Sequence, residues 1–593
     1  MSAARRGNRA RIWKPGDLRL LVVGIVFVLV WGGIGFRLFD LQGNQAVALA
    51  TVGFDQRISE ETIAAPRGTI YDRGGVELAL TIDGWNVVVD PMMLDDTVMA
   101  ATVLAPFADT SFEELVTDLT EGQAKESRYA EIAMRIDTAH KEAIESAVAE
   151  YNAGVDKKDR LTGVFYREQP LRVYPAGSVA AQVIGLTAYD MNDGIEGLEL
   201  TFNSELEGDP GRLIVERDPS RRIIPQGQVI VEPAIAGSDI VTTIDREIQF
   251  AAEQGLRKAM QKTGSLSGAV VVLDPDTGAI LAMANAPDFD LNDRSSASPE
   301  VLRNRAVSDM YEPGSTLKVL TIAAALEEGL VSAHTMIDTP HSIEIGDFTY
   351  SDDGYNPPQM SVRDVVAKSS NIGTIHIEQM LGNDRHYDYL TKFGLGRQVG
   401  LDVEGERHGT LPPTSQWTAT SGSSIAIGYA VHTTALQMAA LYATIANDGI
   451  WTEPYLVDEI IQPDGTRITT VPRAHRVLSP ETASTVRSML GRVIEEGTGK
   501  RAALTDYTAG GKTGTSFKFD VERGVYSKDT YASFIGMAPL NDPRIVVAIV
   551  LDSPHGELPD GVSLSHGGAS AAPVFAEVAQ NALHQLGVAP DRD

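Results

Sequence analysis

The stretch AVVVLDPDTGAILAMA, residues 269–284, decides the fold class of this 593-residue chain. Two apolar runs flank the turn sequence Asp274-Pro275-Asp276-Thr277-Gly278, and this pattern predicts a β-hairpin. A second hairpin is predicted near the C-terminus, with strands at 532–537 and 545–551. Between the hairpins the apolar spacing is mostly helical, beginning with an amphipathic helix at 245–262. This order predicts an α+β fold, in which distant parts of the chain complete one antiparallel sheet.

The chain is too long for one domain, and its length favours three or four folded units. Residues 40–235 have a mixed pattern that differs from the part that follows. Apolar alternation predicts a strand at 85–89, and residues 111–150 have the composition and spacing of two or three helices. We therefore expect a separate mixed domain before the sheet-forming unit.

The N-terminus combines a basic flank with an apolar run of 17 residues, Leu20 to Phe36. Residues 1–19 carry a net charge of +5 and the remainder carries −35 of the total of −30. The pattern predicts a cytosolic tail at 1–19 and a transmembrane anchor at 20–39, with the acidic bulk outside. A cleaved signal peptide is the alternative, but the nearest small-x-small site, Ala48-Leu49-Ala50, lies more than ten residues beyond the run. The basic residues of the flank are Arg5, Arg6, Arg9, Arg11, Lys14 and Arg19.

Composition excludes several functional classes. A chain with a net charge of −30 lacks the basic face that nucleic-acid binding requires. The absence of cysteine excludes disulfides, thiolate catalysis and Cys-based zinc sites. Neither metalloprotease spacing nor a dinucleotide fingerprint occurs, so we expect no metal and no cofactor.

The first candidate for chemistry is Ser315, in the sequence Glu312-Pro313-Gly314-Ser315-Thr316-Leu317-Lys318. Pro313 and Gly314 break the preceding structure, and a helix is predicted from 316 to 328, closed by Gly329. Lys318 then shares a helix face with Ser315, where it can act as a base for the hydroxyl. A capping serine beside a solvated lysine is the alternative for this motif alone.

The second candidate is Ser369-Ser370-Asn371. Ser361 and Asp364 resemble a capping box for a short helix through 368, and a second helix is predicted from 371 to 380. At such a helix–helix junction, polar side chains can point into a cleft. Ordinary helix capping explains the same residues equally well in isolation.

The third candidate is Gly510-Gly511-Lys512-Thr513-Gly514-Thr515. It resembles the tail of a phosphate-binding loop, but that motif needs a glycine where this chain has Asp506. The remaining alternatives are a glycine-rich surface turn and a strand along which a substrate backbone pairs. On such a strand, Lys512, Thr513 and Thr515 would present a cation and two hydroxyls to a carboxylate. His566-Gly567-Gly568 is similar to a hydrolase oxyanion loop, but no Gly-x-Ser-x-Gly elbow accompanies it.

Taken together and in this order, the three motifs resemble the active-site motifs of penicillin-binding proteins and serine β-lactamases. Three earlier segments are similar to the non-catalytic pedestal of class B penicillin-binding proteins: 67–73, 172–177 and 194–199. Within class B, Glu312 makes the chain most similar to the division-specific, septal branch. Two positions depart from the family pattern, because Ala430 stands where glycine is frequent and Ala435 where proline is frequent.

The resemblance implies a fold of the penicillin-binding transpeptidase and serine β-lactamase type. It implies an elongated pedestal domain at 40–235 and a transpeptidase domain at 236–588. It also implies roles at the matching positions, in which a serine nucleophile is assisted by bases and proton relays and the substrate is held by the third motif. The implied catalytic residues are Ser315, Lys318, Ser369, Asn371 and Lys512, and the implied substrate-binding residues are Thr513, Gly514 and Thr515.

The implied function is a peptidoglycan D,D-transpeptidase that cross-links stem peptides ending in D-Ala-D-Ala during cell division and binds β-lactams covalently. A membrane glycan polymerase and other divisome proteins are the implied partners. The implied location is the cytoplasmic membrane, with a single span and the catalytic domain on the periplasmic side. The alternatives are an elongation-type transpeptidase, a D,D-carboxypeptidase or β-lactamase, and a non-catalytic β-lactam-binding scaffold or sensor.

Overall fold

The structure is a computed structural model that describes residues 15–47, 57–188, 193–217, 223–354, 356–401, 403–520 and 522–592. Most of the predicted basic flank and the possible cleavage site Ala48-Leu49-Ala50 lie outside these residues. The chain divides into two compact units, one formed by 1–64 with 210–234 and the other by 65–209 with 235–593.

The first unit contains the predicted anchor. A helix spans Pro15–Phe39 and continues into one π-helical turn, Asp40–Asn44. Its stretch from Leu18 to Asn44 is the one helix of the described residues that is long and apolar enough to cross a membrane. A helix suits this role because it satisfies its backbone hydrogen bonds internally. The unit also holds an antiparallel sheet of three strands, in the order Ile58–Ile63, Gly211–Arg217 and Ile223–Glu232.

The second unit begins with a six-stranded sheet that crosses the expected domain boundary at 235/236. Asp239–Thr242 pairs with Ile70–Tyr71 in parallel and with Val457–Ile461 in antiparallel register. Strands from both sides of the boundary therefore share one sheet, and the expected division into 40–235 and 236–588 stays a prediction. The strand order is Arg467–Thr469, Val457–Ile461, Asp239–Thr242, Ile70–Tyr71, Glu77–Ile82 and Leu171–Val173.

The three segments that resemble pedestal motifs each contribute one charged residue to a buried cluster. Arg67 Nε donates to Glu199 Oε2 at 2.6 Å, and Arg172 Nε donates to Glu199 Oε1 at 2.8 Å. All three side chains are at most 2% exposed. Arg172 Nη1 also donates to the carbonyl of Gly68 at 2.7 Å, which ties the cluster to the backbone. The segments are distant in sequence, and this charge pairing holds them together.

A smaller α/β layer follows the first strands of this unit. Its sheet has the order Ala130–Asp137, Gly84–Val89 and Val164–Glu168. The predicted strand at 85–89 is confirmed, and so are helices within 111–150, at Phe112–Ala124 and Thr138–Ala153. The strand at 130–137, between these two helices, was not predicted, because its pairing with 84–89 outweighs the helix propensity of Ala, Glu, Met and Arg. The remaining helices here are Thr97–Leu104, Ala181–Ile184, Gly197–Thr201 and Asn203–Leu206, with 3-10 turns at Pro91–Met93, Ala105–Phe107 and Lys157–Asp159.

The two predicted hairpins meet in one five-stranded antiparallel sheet, which confirms the α+β expectation. The hairpins join where Ser267–Leu273 pairs with Ile545–Asp552, so that Ala269 lies opposite Val550. Val270 and Val272 face one apolar core, whereas Val271 faces another. Both faces of the sheet are therefore covered, which explains its continuous apolar runs. The strand order is Ile280–Ala286, Ser267–Leu273, Ile545–Asp552, Val525–Ala538 and Gly510–Asp520.

Helices cover the two faces of this sheet. The predicted amphipathic helix, Arg246–Thr263, and Gly567–Gln585 pack on one face. Ala435–Ala446, which is buried throughout, packs on the other. The other helices are Pro299–Leu302, Arg305–Ser308, Lys318–Glu327, Val362–Lys368, Asn371–Leu381, Asn383–Lys392, Ser421–Ala426 and Pro480–Glu495.

Short elements complete the second unit. Three two-stranded ribbons pair Met336–Asp338 with Gln359–Ser361, Ser342–Ile345 with Phe348–Ser351, and Ile450–Thr452 with Ala474–Arg476. The 3-10 turns are Arg294–Ser296, Gly314–Thr316, Thr414–Gln416 and Lys500–Ala502. The ribbon that ends at Ser351 and the turn at Gly314–Thr316 contribute to the site described below.

Replacing Glu199 with alanine should strongly destabilise the second unit. The change leaves two buried guanidinium groups without their shared carboxylate, and a broken buried ion pair costs about 3–5 kcal/mol. Denaturant unfolding followed by circular dichroism measures the loss. Glu121→Ala is the control, because it removes a pair with Lys125 that is exposed and should change stability by less than about 0.5 kcal/mol. Equal effects of the two changes would contradict a structural role for the cluster.

Candidate active site

Ser315 lies in the 3-10 turn Gly314–Thr316, directly before the helix Lys318–Glu327. The prediction of a helix in this region closed by Gly329 is confirmed, since Gly329 has a φ of +66°. Gly314 has a φ of +56°, and its amide donates to the carbonyl of Gly428 at 3.0 Å. A residue with a side chain would be unfavourable in this backbone conformation, so glycine at this position allows the turn that carries Ser315.

Lys318 connects the first motif with the second. Its side chain is buried, and Nζ donates to the Ser369 carbonyl at 2.7 Å and to Asn371 Oδ1 at 2.6 Å. A third hydrogen bond reaches Ser369 Oγ at 3.3 Å. Ser315 precedes Lys318 by one helical turn, but in the part of the chain that the structure describes no hydrogen bond joins their side chains. The structure therefore brings the second motif to Lys318 and leaves the Ser315 hydroxyl outside this hydrogen-bonded group.

Ser369 lies at the predicted junction between two helices. The helix Val362–Lys368 is capped by Ser361, and two residues separate it from the helix Asn371–Leu381, as the sequence predicts. Ser369 occupies the left-handed region with a φ of +60°. This conformation turns the chain between the helices, and both the carbonyl and the hydroxyl of Ser369 contact Lys318.

Lys512 brings the third motif to the same serine. It lies on the strand Gly510–Asp520, so the strand prediction is right and the surface-turn alternative is wrong. The fully buried Nζ donates to Ser369 Oγ at 2.8 Å and to the Thr513 carbonyl at 3.1 Å. The Ser369 hydroxyl therefore lies between two lysine side chains.

Burial changes the acid–base properties of both lysines. It lowers the pKa of Lys318 to about 8, although the charges of Asp352 and Asp353 raise this pKa in part. Burial also lowers the pKa of Lys512 well below its ordinary value, and the positive charge of Lys318 lowers it further. A lysine with a pKa near 8 has an appreciable neutral fraction at physiological pH and can accept a proton.

The hydroxyls of the third motif have partners outside that motif. Thr513 Oγ1 lies 2.7 Å from Thr498 Oγ1, and Thr515 Oγ1 accepts a hydrogen bond from the Gly567 amide at 3.3 Å. Gly514 lies between them, where an added Cβ would be 2.3 Å from Ser533 Oγ. Glycine is therefore required here by the close approach of the neighbouring strand rather than by its backbone angles.

Asp352 is a part of the site that the sequence motifs did not reveal. Its carboxylate accepts from the Asn371 amide at 2.5 Å, the Ile372 amide at 3.1 Å and Ser370 Oγ at 2.7 Å. In addition, Asn371 Nδ2 donates to the Ser351 carbonyl at 2.8 Å. These contacts orient Asn371 at the start of its helix. Asp352 is 18 residues from Ser370, so no local spacing rule could have identified it.

Glu312 joins the Ser315 turn to the loop at Ala430 and to two strands of the five-stranded sheet. Its Oε1 accepts from the Ala430 amide at 2.7 Å and from the Tyr526 hydroxyl at 3.2 Å. Its backbone carbonyl accepts from Ser516 Oγ at 2.5 Å. Burial raises the pKa of Glu312, against the opposing effect of these hydrogen bonds. Ala430, the position where glycine is frequent in the resembled family, has a φ of +59°.

The arrangement can support nucleophilic chemistry at Ser315, with lysine side chains that exchange protons and a strand that presents hydroxyl donors. In the described part of the chain no group of three or more His, Asp or Glu side chains is arranged to hold a metal ion. The geometry thus brings together Lys318, Ser369, Asn371 and Lys512. The turn that carries Ser315 lies next to Thr515, whose carbonyl would be 3.1 Å from a Cβ added to Gly314.

Comparisons with known proteins agree with this architecture. The model of the penicillin binding protein transpeptidase domain matches residues 268–580, and that of the penicillin-binding protein dimerisation domain matches 62–242. The chain is 34% identical over 610 residues to penicillin-binding protein PbpB of Mycolicibacterium smegmatis, covering 98% of this chain and 91% of the relative. It is 30% identical over 584 residues to the peptidoglycan D,D-transpeptidase FtsI of Escherichia coli, covering 95% and 92%.

A solved structure is also similar. The crystal structure of penicillin binding protein 3 from Mycobacterium tuberculosis, complexed with aztreonam, has a TM-score of 0.69 and 31% sequence identity. The similarity covers 90% of this chain and 98% of the crystallised chain.

Replacing Ala430 with glycine should stabilise the protein by about 0.5–1 kcal/mol. Ala430 is exposed and its methyl group makes the left-handed conformation unfavourable, whereas its amide bond to Glu312 is kept in the variant. Ala443→Gly is the matched control, because it lies inside the helix Ala435–Ala446 and should destabilise by about 1 kcal/mol. Thermal unfolding midpoints measure both. A lower unfolding midpoint for Ala430→Gly than for the parent protein would show that the backbone at this turn is not strained.

Proposed function

The chain belongs to the class B penicillin-binding proteins and is most similar to their division-specific branch, and we propose on this premise how its residues act. Its activity is that of a peptidoglycan D,D-transpeptidase, the function named for its relative FtsI. The observation that carries the proposed mechanism is the single serine hydroxyl, Ser369 Oγ, shared by the buried Lys318 and Lys512.

We propose that the reaction starts when Ser315 Oγ attacks the carbonyl of the penultimate D-alanine of a stem peptide. Lys318, in its neutral form, takes the hydroxyl proton as the oxygen–carbon bond forms. The lowered pKa of Lys318 supports this role, since a lysine in water would hold its proton. The backbone amides of Ser315 and Thr515 hold the negative oxygen of the tetrahedral intermediate.

The carbon–nitrogen bond then breaks and the terminal D-alanine leaves with the proton. The proton passes from Lys318 Nζ to Ser369 Oγ, 3.3 Å away, while the hydroxyl proton of Ser369 passes to the leaving amine. Lys512, 2.8 Å from the same oxygen, keeps Ser369 oriented for this transfer. Lys318 is neutral again at the end of the step, and an ester joins Ser315 to the peptide.

Substrate binding is assigned to the remaining motif residues. Asn371 holds the amide of the substrate, and its own orientation depends on Ser351 and Asp352. Thr513 and Thr515 bind the terminal carboxylate, and the absence of a side chain at Gly514 keeps the strand close to the Ser315 turn.

Transfer completes the reaction. An amine from a neighbouring stem peptide attacks the ester carbon and forms a new amide as the bond to Ser315 Oγ breaks. The proton of the amine passes along the same relay to Ser315 Oγ, which regenerates the free hydroxyl. β-Lactams react with the same serine, because opening of their ring leaves an ester that turns over slowly. The similar crystal structure complexed with aztreonam supports this part of the proposal.

The location follows from the anchor and the charge distribution. The helix at 18–44 and the similarity to FtsI indicate a single-pass membrane protein. We infer that the acidic remainder of the chain, including a pedestal at 40–235 and a transpeptidase domain at 236–588, lies on the periplasmic side. A membrane glycan polymerase and other divisome proteins are the proposed partners. A fluorescent fusion should therefore concentrate at midcell rather than along the side wall.

Replacing Ser315 with alanine should abolish covalent labelling by a fluorescent penicillin, because no other group then forms the ester. Ser332→Ala, a change at an exposed loop serine, is the matched control and should label like the parent protein. Labelling detected after denaturing electrophoresis measures the outcome. If Ser315→Ala still labels, the nucleophile is misassigned, and rapid hydrolysis of nitrocefin by the parent protein would instead favour a β-lactamase.

Replacing Asp352 with asparagine should shift the pH dependence of acylation to lower pH. Acylation needs neutral Lys318, so its rate rises with pH through the pKa of about 8. Asp352 raises this pKa by stabilising the ammonium form, and removal of its charge therefore lowers the pKa. Asparagine keeps an oxygen that can accept the amide hydrogen bonds.

The rate of penicillin acylation measured from pH 6 to 10 tests this prediction. Asp347→Asn is the control, because Asp347 is exposed on the turn of the neighbouring ribbon and does not affect Lys318. A shift to higher pH, or an unchanged profile, would contradict the role of Lys318 as the base.

A further inference from the structure

The hydroxyls of Thr513 and Thr515 each make a hydrogen bond to a group outside the three motifs. Thr498 Oγ1 lies 2.7 Å from Thr513 Oγ1, and the amide of Gly567 donates to Thr515 Oγ1 at 3.3 Å. An amide can only donate, so Thr515 must accept from Gly567, and its own proton is left for another acceptor. The two contacts therefore affect the direction in which the hydroxyl protons point.

Thr498 stands between two glycines that fix its loop. An added Cβ on Gly497 would be 2.2 Å from the carbonyl of Ala367, at the end of the helix that precedes Ser369. An added Cβ on Gly499 would be 3.2 Å from the ring of Phe534, and the Gly499 amide donates to the Val493 carbonyl at 2.9 Å. The loop is therefore packed between the second and third motifs, and its one hydroxyl side chain faces Thr513.

The same contacts explain why two glycines occur in the sequence His566-Gly567-Gly568. The helix Gly567–Gln585 begins here, and an added Cβ on Gly567 would be 2.1 Å from the Ser533 carbonyl and 2.4 Å from that of Gly514. An added Cβ on Gly568 would be 2.5 Å from the Thr498 carbonyl. Two glycines thus let the first turn of a 19-residue helix contact the strand of the third motif and the Thr498 loop.

We propose that Thr498 is a positioning residue for recognition of the substrate's terminal carboxylate. Thr498 acts through Thr513, and the Gly567 amide acts in parallel through Thr515. Thr498 donates its proton to Thr513 Oγ1, so that the Thr513 proton points to the carboxylate. The Gly567 amide does the same for Thr515. The positive end of the helix dipole lies behind both hydroxyls and favours an anion in front of them.

This inference rests on the proposed function, because it concerns the groups that orient Thr513 and Thr515, the proposed ligands of the substrate carboxylate. It predicts that Thr498 affects the preference for an anionic substrate rather than acylation in general. A loop residue that only supported the fold would affect charged and uncharged substrates equally.

The experiment compares acylation of the full-length protein by benzylpenicillin, which has a carboxylate, with acylation by its methyl ester, which has none. Acylation rates are followed by intact-protein mass. Thr498→Val should reduce the rate for the acid by about tenfold, the usual effect of losing one hydrogen bond that supports a charged group, and leave the rate for the ester nearly unchanged. Thr498→Ser should keep the preference of the parent protein, because it retains the hydroxyl.

Two further variants make the result decisive. Thr498→Ala removes the hydroxyl without adding a methyl group, so it replaces Thr498→Val if that protein does not fold. Thr485→Val, which removes a helix hydroxyl bonded to the Glu481 carbonyl at 2.8 Å, is the matched control. The double variant Thr498→Val with Thr513→Val should lose no more of the acid preference than Thr513→Val alone, because Thr498 acts through Thr513.

Each outcome has a distinct meaning. A preference for the acid that falls in the hydroxyl-free variants and is kept in Thr498→Ser supports the proposal. Equal reductions for acid and ester, or an unchanged preference, would overturn it while leaving the transpeptidase assignment intact. If the parent protein is acylated by neither compound, the proposed function itself fails and the inference fails with it.

Discussion

Burial of two lysine side chains around one serine hydroxyl is the constraint on which the rest of the site depends. An ammonium group loses several kcal/mol of hydration on burial, and the protein must replace it with hydrogen bonds. Lys318 donates hydrogen bonds to Ser369 and Asn371, and Lys512 donates to Ser369 and to the Thr513 carbonyl. Because Ser369 is 51 residues from Lys318 and 143 from Lys512, these bonds require three distant segments to meet.

That meeting depends on close backbone approaches. Gly428 lies so near Gly314 that an added Cβ would be 2.1 Å from the Gly314 carbonyl, and an added Cβ on Gly514 would be 2.3 Å from Ser533 Oγ. Glycine at these places brings the Ser315 turn, the third-motif strand and the first turn of the helix from Gly567 into one cleft. The same buried environment lowers the pKa of both lysines, so the packing that forms the site also sets its acid–base behaviour.

Local signals predicted much of the fold and of the motif geometry. The two hairpins, the amphipathic helix that begins near Asp245, the cap at Ser361 and the helix junction at Ser369 all follow from residues close in sequence. The strand at 130–137 was missed, because pairing with 84–89 outweighs its helical composition. Asp352 and Thr498 were also missed, since each reaches its partner across 15 or more residues with no spacing rule to signal it.

By itself the sequence determined the α+β fold class, the apolar N-terminal helix and the identity and order of the three motifs, because turns, caps and periodicity depend on near neighbours. Only the tertiary structure decided which atoms share a hydrogen bond. In the folded chain two lysines share one serine hydroxyl, the Asp352 carboxylate accepts a hydrogen bond from the Asn371 amide, and strands pair across the expected domain boundary. Such contacts depend on burial and on distances between remote segments, and neither quantity can be read from residue order.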